Sequence, residues 1–312
     1  MIGVLTLLLS SAVVALHGHR PLLWLADRGV DPTIVLTGWV LSAVGLVISA
    51  IAIFSLFALP ADEHPSSGVF GLAGGCWTAL SSGYLPGYRE GLAALSVAGA
   101  GAIVLRIGRA SIARYRRHRE HAPHLEQLRL LAAGTPSGEP LWVRDNRPLA
   151  MSIGGRPGLI LMSDALRVQL TPAAVAATLE HERAHLRGRH HVIVALVETL
   201  AAALPLIPLL RAAPSAIRDL IELSADAQAA RRCGPAAVRE ALSRLTGQPT
   251  SAVGLAMAGR LTQARLLRLA TGDSGANRAV RVAGCAAVAA AALALPAAAG
   301  WLTLNVIGCV VA

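Results

Sequence analysis

Charge is scarce in this 312-residue sequence: 15% of residues are charged, against 54% hydrophobic. Soluble domains carry about 25% charged residues, so the composition argues against an ordinary soluble domain and points to the bilayer. Lysine is missing altogether and every fixed cation is arginine. With the high alanine and glycine content, this reads as a GC-rich bacterial coding sequence more than as a functional choice. Aromatic residues make up only 4%, too few for the stacking platforms that hold single-stranded nucleic acid. The net charge of +10 is therefore assigned to membrane topology, because the arginines lie beside apolar segments, and no direct nucleic-acid binding is expected. The four cysteines, Cys76, Cys233, Cys285 and Cys309, are scattered and form no CxxC pair. They read as small buried residues, neither a disulfide framework nor a thiolate metal site. The first apolar run has no basic stretch ahead of it and no clear cleavage site, so it reads as a retained membrane helix.

What is abundant is apolar sequence in long runs. Residues 1–16 form a run just short of a usual span, 34–59 an uncharged run of full length, and 91–105 a run rich in small residues, which let membrane helices approach closely. Residues 69–84 are apolar but rich in Gly and Ser, and read as either a span or a loop packed on the bundle. Residues 17–32 read as a polar loop. Directly after residue 105 come Arg106, Arg109, Arg114, Arg116, Arg117 and Arg119, which the positive-inside rule places in the cytoplasm. The loop with Arg20 and Arg28 then lies inside and the Asp62/Glu63 loop outside. Residues 282–311 form the last membrane segment. The expected fold is mainly α: a polytopic membrane protein with an inserted α+β zincin-like metallopeptidase domain. Its divisions are a transmembrane bundle at 1–105, a cytoplasmic-face domain at 106–278 with a membrane-associated helix at 192–210, and a C-terminal transmembrane helix at 282–311.

The insert carries the chemistry. Short strands are expected at 141–143, 149–153 and 159–162, the second as an edge on which an extended substrate can pair. Thr171 and Pro172 then open a helix as N-cap and first helical residue, expected to run to about residue 190. It contains His181-Glu182-Arg183-Ala184-His185, an HExxH motif. Residues four apart lie one turn apart on a helix, so both imidazoles can reach one metal ion, and Glu182 can take a proton from the water the metal activates. A chain of this size and His/Glu content contains the pattern by chance in roughly one case in a hundred, so its neighbourhood decides. A catalytic zinc takes three protein ligands and keeps one position open. Glu222 and Asp226, again four apart on a later helix expected to begin at Pro214 or Ser215, offer the third ligand in Glu222. Asp226 then accepts the other ring N–H of a ligand histidine. His190, Arg231 and Arg232 are candidate donors to the oxyanion, while His190 and His191 also suit a helix C-terminal cap.

Arg156 to Ile160, Leu179 to Leu186 with the motif, and His190-His191 resemble the BlaR/MecR-type membrane metallopeptidases. Glu222-Leu223-Ser224-Ala225-Asp226 resembles the ExxAD segment which that family shares with HtpX and CAAX-processing proteases. The likeness covers about a quarter of the chain at the level of motifs. It implies one Zn(2+) per chain held by His181, His185 and Glu222, with Glu182 as general base. It also implies cleavage of a protein or peptide substrate, in the BlaR case a transcriptional repressor. BlaR-type receptors carry a penicillin-binding sensor domain after the membrane region; this sequence ends on an apolar helix, so sensing by that route is not expected.

The resulting expectation is a zinc metalloendopeptidase of the cell membrane, multi-pass, with its site on the cytoplasmic face. HtpX-like quality control of membrane proteins and a catalytically silent signalling scaffold are the alternatives. Since His185 and Glu222 must share one compartment, an even number of crossings separates them, and residues 192–210 are too short to cross twice. They are expected as one Pro-bent helix that dips into the membrane or packs on the bundle. Single Leu186→Cys and Ser215→Cys variants in a cysteine-free background should therefore label with an impermeant maleimide from the same membrane side. Labelling from opposite sides would contradict this topology.

Overall fold

The computed structural model describes residues 2–58, 88–120, 127–128, 130, 139–245, 252–270 and 278–311. The expectations for residues 69–84, the Asp62/Glu63 loop and Cys76 lie outside them. The fold is mainly α, with one small mixed sheet among the described residues. Helices α1 (Ile2–His17), α2 (His19–Asp27), α3 (Pro32–Ala58) and α4 (Tyr88–Glu120) precede the sheet. Residues 17–32 are thus not simply a loop, since α2 occupies most of them. Its Pro21 falls in the first turn, where a missing N–H costs little, and Leu22 is buried in the cluster around Trp39 of α3. Among the described residues, two helical segments are long and apolar enough to cross a membrane, Pro32–Phe54 and Ala94–Arg117. Along α4, Leu95, Val97, Val104 and Leu105 remain exposed.

Strands β1 (Pro140–Val143), β2 (Ala150–Ile153) and β3 (Leu159–Ser163) follow in the order β1-β3-β2. The central strand β3 is buried along its length, pairing parallel with β1 and antiparallel with β2. Ser163 fixes the start of β2: its Oγ accepts from the Leu149 N–H at 2.9 Å and donates to the Arg147 carbonyl at 2.7 Å. β2 is an edge strand among the described residues.

A short α5 (Ala165–Gln169) leads to the motif helix α6 (Pro172–Arg187). The Thr171 side chain accepts from the Ala174 N–H, and Pro172 occupies the first helical position, as the sequence implies. Ile160 and Met162 of β3 pack with Leu166, Leu170 and Ala174, joining sheet to helix. α6 stops at Arg187, short of residue 190, because Arg189 turns to φ +47°. Gly188 leaves room for that turn: a Cβ there would stand 2.3 Å from the His190 Nε2 and displace the ring.

Residues 192–210 are two helices, not one bent helix. α7 (His190–Ala203) ends at a turn over residues 204–207, and α8 (Pro208–Cys233) returns along it. Nor does α8 begin at Pro214: that proline lies inside the helix. A proline within a helix costs about 3 kcal/mol; here the full burial of Leu209, Leu210, Ala213 and Ile217 against α3 and α7 outweighs it. The later half of α8 meets α6 through Ala177, Ala229 and Ala230, small residues that permit close approach. α9 (Pro235–Leu245), α10 (Ala252–Ala270) and α11 (Arg278–Val311) complete the chain, α11 lying along α3.

Thr171 also ties α6 to α9, its Oγ1 donating to Glu240 Oε2 at 2.8 Å and its N–H to Oε1 at 3.1 Å. Thr171→Ala should cost about 1 kcal/mol and lower the apparent Tm of the detergent-purified protein, while Thr171→Ser retains it. Equal melting of all three forms would contradict the capping role.

Candidate metal centre

The α6–α8 contact brings the two halves of the motif together. His181 and His185 face each other with Nε2 atoms 3.0 Å apart. Glu222 closes the triangle, Oε2 lying 3.5 Å from His181 Nε2 and Oε1 3.6 Å from His185 Nε2. The three residues form a group able to hold a metal ion. Zinc at ~2.0–2.1 Å from each of three tetrahedral ligands leaves those ligands about 3.3–3.4 Å apart, so the spacing fits. Two imidazoles and a carboxylate also suit zinc as a donor set.

Each histidine is oriented by its other nitrogen. His181 Nδ1 donates to Asp226 Oδ1 at 3.0 Å. His185 Nδ1 lies 3.0 Å from His190 Nδ1. Burial pushes both of these rings down to a pKa of about 4, so each is neutral near pH 7. A His185 Nδ1–H donating to His190 leaves His185 Nε2 unprotonated and facing the metal position.

Asp226 itself is held by a residue sequence reading passed over. Arg265 of α10 donates to it twice, from Nε at 2.6 Å and Nη2 at 2.8 Å, and its Nη1 lies 3.1 Å from Glu222 Oε2. Burial works against the charge of Arg265, but Asp226, Glu222 and Glu182 outweigh it and hold it protonated. One signal in the sequence pointed this way: three carboxylates round one site call for a cation beyond the metal.

Glu182 is buried against β2, where Ser152 hydrogen-bonds to it. Burial raises its carboxyl pKa, partly offset by the His181 charge and Ser152. His181 shows the opposite balance: burial lowers its pKa, yet Asp226 and Glu222 together raise it to about 9. Glu222 is held down at about 2, its burial outweighed by His181 and Arg265.

No family model, curated protein or solved structure matches the chain. The site therefore rests on its own geometry. A cleft of about 590 Å³ opens beside His185 and Glu222, lined also by Ser152, Gly154, His191 and Arg218. The candidate oxyanion donors lie elsewhere or are engaged. Arg232 binds Glu180 at 3.0 Å, on another side of α6. Arg231 senses the charges of Asp31 and Arg281 near the α3 and α11 N-termini. His190 is buried and in contact with His185.

Metal binding requires a neutral His181, which is protonated in the metal-free site below about pH 9. His185 and Glu222 titrate near 4 and 2, and so contribute nothing between pH 6 and 8. Zinc affinity should fall about tenfold for each unit the pH drops across that window, with one proton released per ion. Asp226→Asn removes the main support of the His181 charge, and should flatten this dependence while weakening affinity about 10–100-fold. Calorimetric titration in buffers of different ionisation enthalpy measures both, and affinity independent of pH would contradict the assignment.

Proposed function

We propose that the chain is a membrane-embedded zinc endopeptidase which hydrolyses a polypeptide at its cytoplasmic face. The observation that carries this reading is the convergence of His181, His185 and Glu222 with Glu182 buried alongside. The resemblance of the segments around both motifs to BlaR/MecR-type metallopeptidases supports it, and favours regulatory cleavage of a repressor. Apolar side chains left exposed on α1, α4 and α11 support a lipid-facing exterior, since water would penalise such a surface. The arginine run on α4 supports the cytoplasmic side.

Zinc, when bound, supplies Lewis acidity, lowering the pKa of a water to near neutrality and polarising the scissile carbonyl. The chain supplies the rest. Glu182 accepts the proton and delivers it to the leaving amine. Its raised pKa brings proton affinity closer to working pH, where general bases are most effective. Asp226 and His190 hold the two imidazoles in register, and Arg265 balances the acids behind them. The edge strand β2, with Ser152 beside Glu182, offers backbone groups to an extended substrate.

Glu182→Gln should keep one zinc per chain and lower turnover by about 10²–10⁴-fold. Comparative proteomics of wild-type and Glu182→Gln cells should show an uncleaved protein accumulating, a single DNA-binding repressor if cleavage is regulatory. Indistinguishable proteomes, together with a zinc-free wild-type protein, would contradict the reading.

A further inference from the structure

Behind the motif helix lies a second cleft, of about 850 Å³. At 100° per residue, the stripe Glu180, Arg183 and Arg187 stands about 150° around α6 from the histidines. Glu180 is buried, and gathers Arg183 at 2.8 Å, Arg187 at 3.3 Å and Arg232 at 3.0 Å. Three guanidinium groups thus share one carboxylate. Arg156 and Arg189 also line the cleft, both exposed, so among its described lining residues five arginines stand with two carboxylates, Glu180 and Glu139. The result is a preorganised positive cradle whose groups match carboxylates in bidentate geometry.

Its position selects among anionic ligands. α7 runs antiparallel to α4, with Arg106 Nε donating to the Ala203 carbonyl at 2.7 Å and Arg114 paired with Glu198. The apolar part of α4 precedes Arg106, while the cleft lies at the opposite end of α7, beside Arg189 and His191. Thirteen residues of helix separate those levels by about 20 Å, whereas a headgroup layer is only about 5–7 Å thick. With the bilayer edge placed at Arg106, where the arginine run begins, the cleft opens into water beyond the lipid phosphates. It also adjoins the metal cleft: Leu186 and His191 line both, and Gly154 of one precedes Gly155 of the other. Gly154 lets the walls meet, since a Cβ there would stand 2.5 Å from the His191 ring.

We propose that this arginine cleft is a specificity subsite for acidic side chains flanking the scissile bond, so that the substrate is a polypeptide with an acidic stretch beside its cleavage point. The assignment rests on the proteolytic reading. Its test is fluorescence anisotropy on the full chain in neutral detergent, carrying Glu182→Gln to prevent cleavage. The probes are a labelled peptide with four consecutive Glu and the same peptide with Gln. The Glu peptide should bind at least tenfold more tightly, and Arg156→Gln with Arg189→Asn should abolish the preference; Asn tolerates the left-handed backbone at 189. Arg116→Gln with Arg117→Gln, the same charge change on exposed α4, should leave it within twofold. No preference, equal loss in both double variants, or loss only of binding to phosphatidylglycerol vesicles would overturn the subsite. Zinc content, measured on each sample, separates the two failures. A zinc-loaded protein without the preference loses the subsite and keeps the protease. The preference in a protein that neither binds zinc nor cleaves overturns the role in cleavage.

Discussion

Three carboxylates, Glu182, Glu222 and Asp226, converge on one partly buried volume, and the surrounding architecture answers that concentration of negative charge. Burying a carboxylate costs several kcal/mol unless cations and hydrogen bonds compensate. Arg265 meets Asp226 through two bonds and reaches Glu222 with a third nitrogen. His181 is drawn to its protonated form by the same two acids. A divalent ion replacing the His181 proton answers the charge more completely, so the site is biased toward metal by its electrostatics as well as by its ligand spacing.

That convergence depends on helices brought together from distant parts of the chain. α6 reaches the site from the sheet, and α8 returns to it after the turn at residues 204–207. Fully buried Leu209, Leu210 and Ile217 seat α8 against α3 and α7, and the alanines at 177, 229 and 230 set its distance from α6. A larger side chain in that alanine seam would move Glu222 away from both histidines. α10 then supplies Arg265 from the other side. The apolar bundle is thus the clamp that fixes the ligand triangle, even though it contributes no ligand.

Local patterns were legible before the structure: the Thr171–Pro172 helix start, three short strands, HExxH, and the acid pair four residues apart. Each is a relation between near neighbours in sequence. What escaped was decided by packing between distant segments. Residues 19–27 look polar, yet burial of Leu22 makes them a helix. Pro214 reads as a boundary, but packed leucines carry α8 through it. Arg231 and Arg232 follow Asp226 closely, but the helical turn carries them out of the site toward other charges. Arg265 lies in an arginine-rich stretch with nothing local to mark it, and only the α10–α8 contact selects it. His190, expected at a cap or an oxyanion, is revealed as the partner of His185 by the break at Gly188 and Arg189.

The central claim is that two helices of this chain furnish two imidazoles and one carboxylate to a single zinc ion. X-ray absorption at the zinc edge of the purified full-length protein addresses it directly. The predicted spectrum has only nitrogen and oxygen neighbours at about 2.0–2.2 Å, with imidazole scattering from two rings that falls to one ring in His185→Ala. Sulfur at about 2.3 Å, or a spectrum unchanged by that substitution, would contradict it.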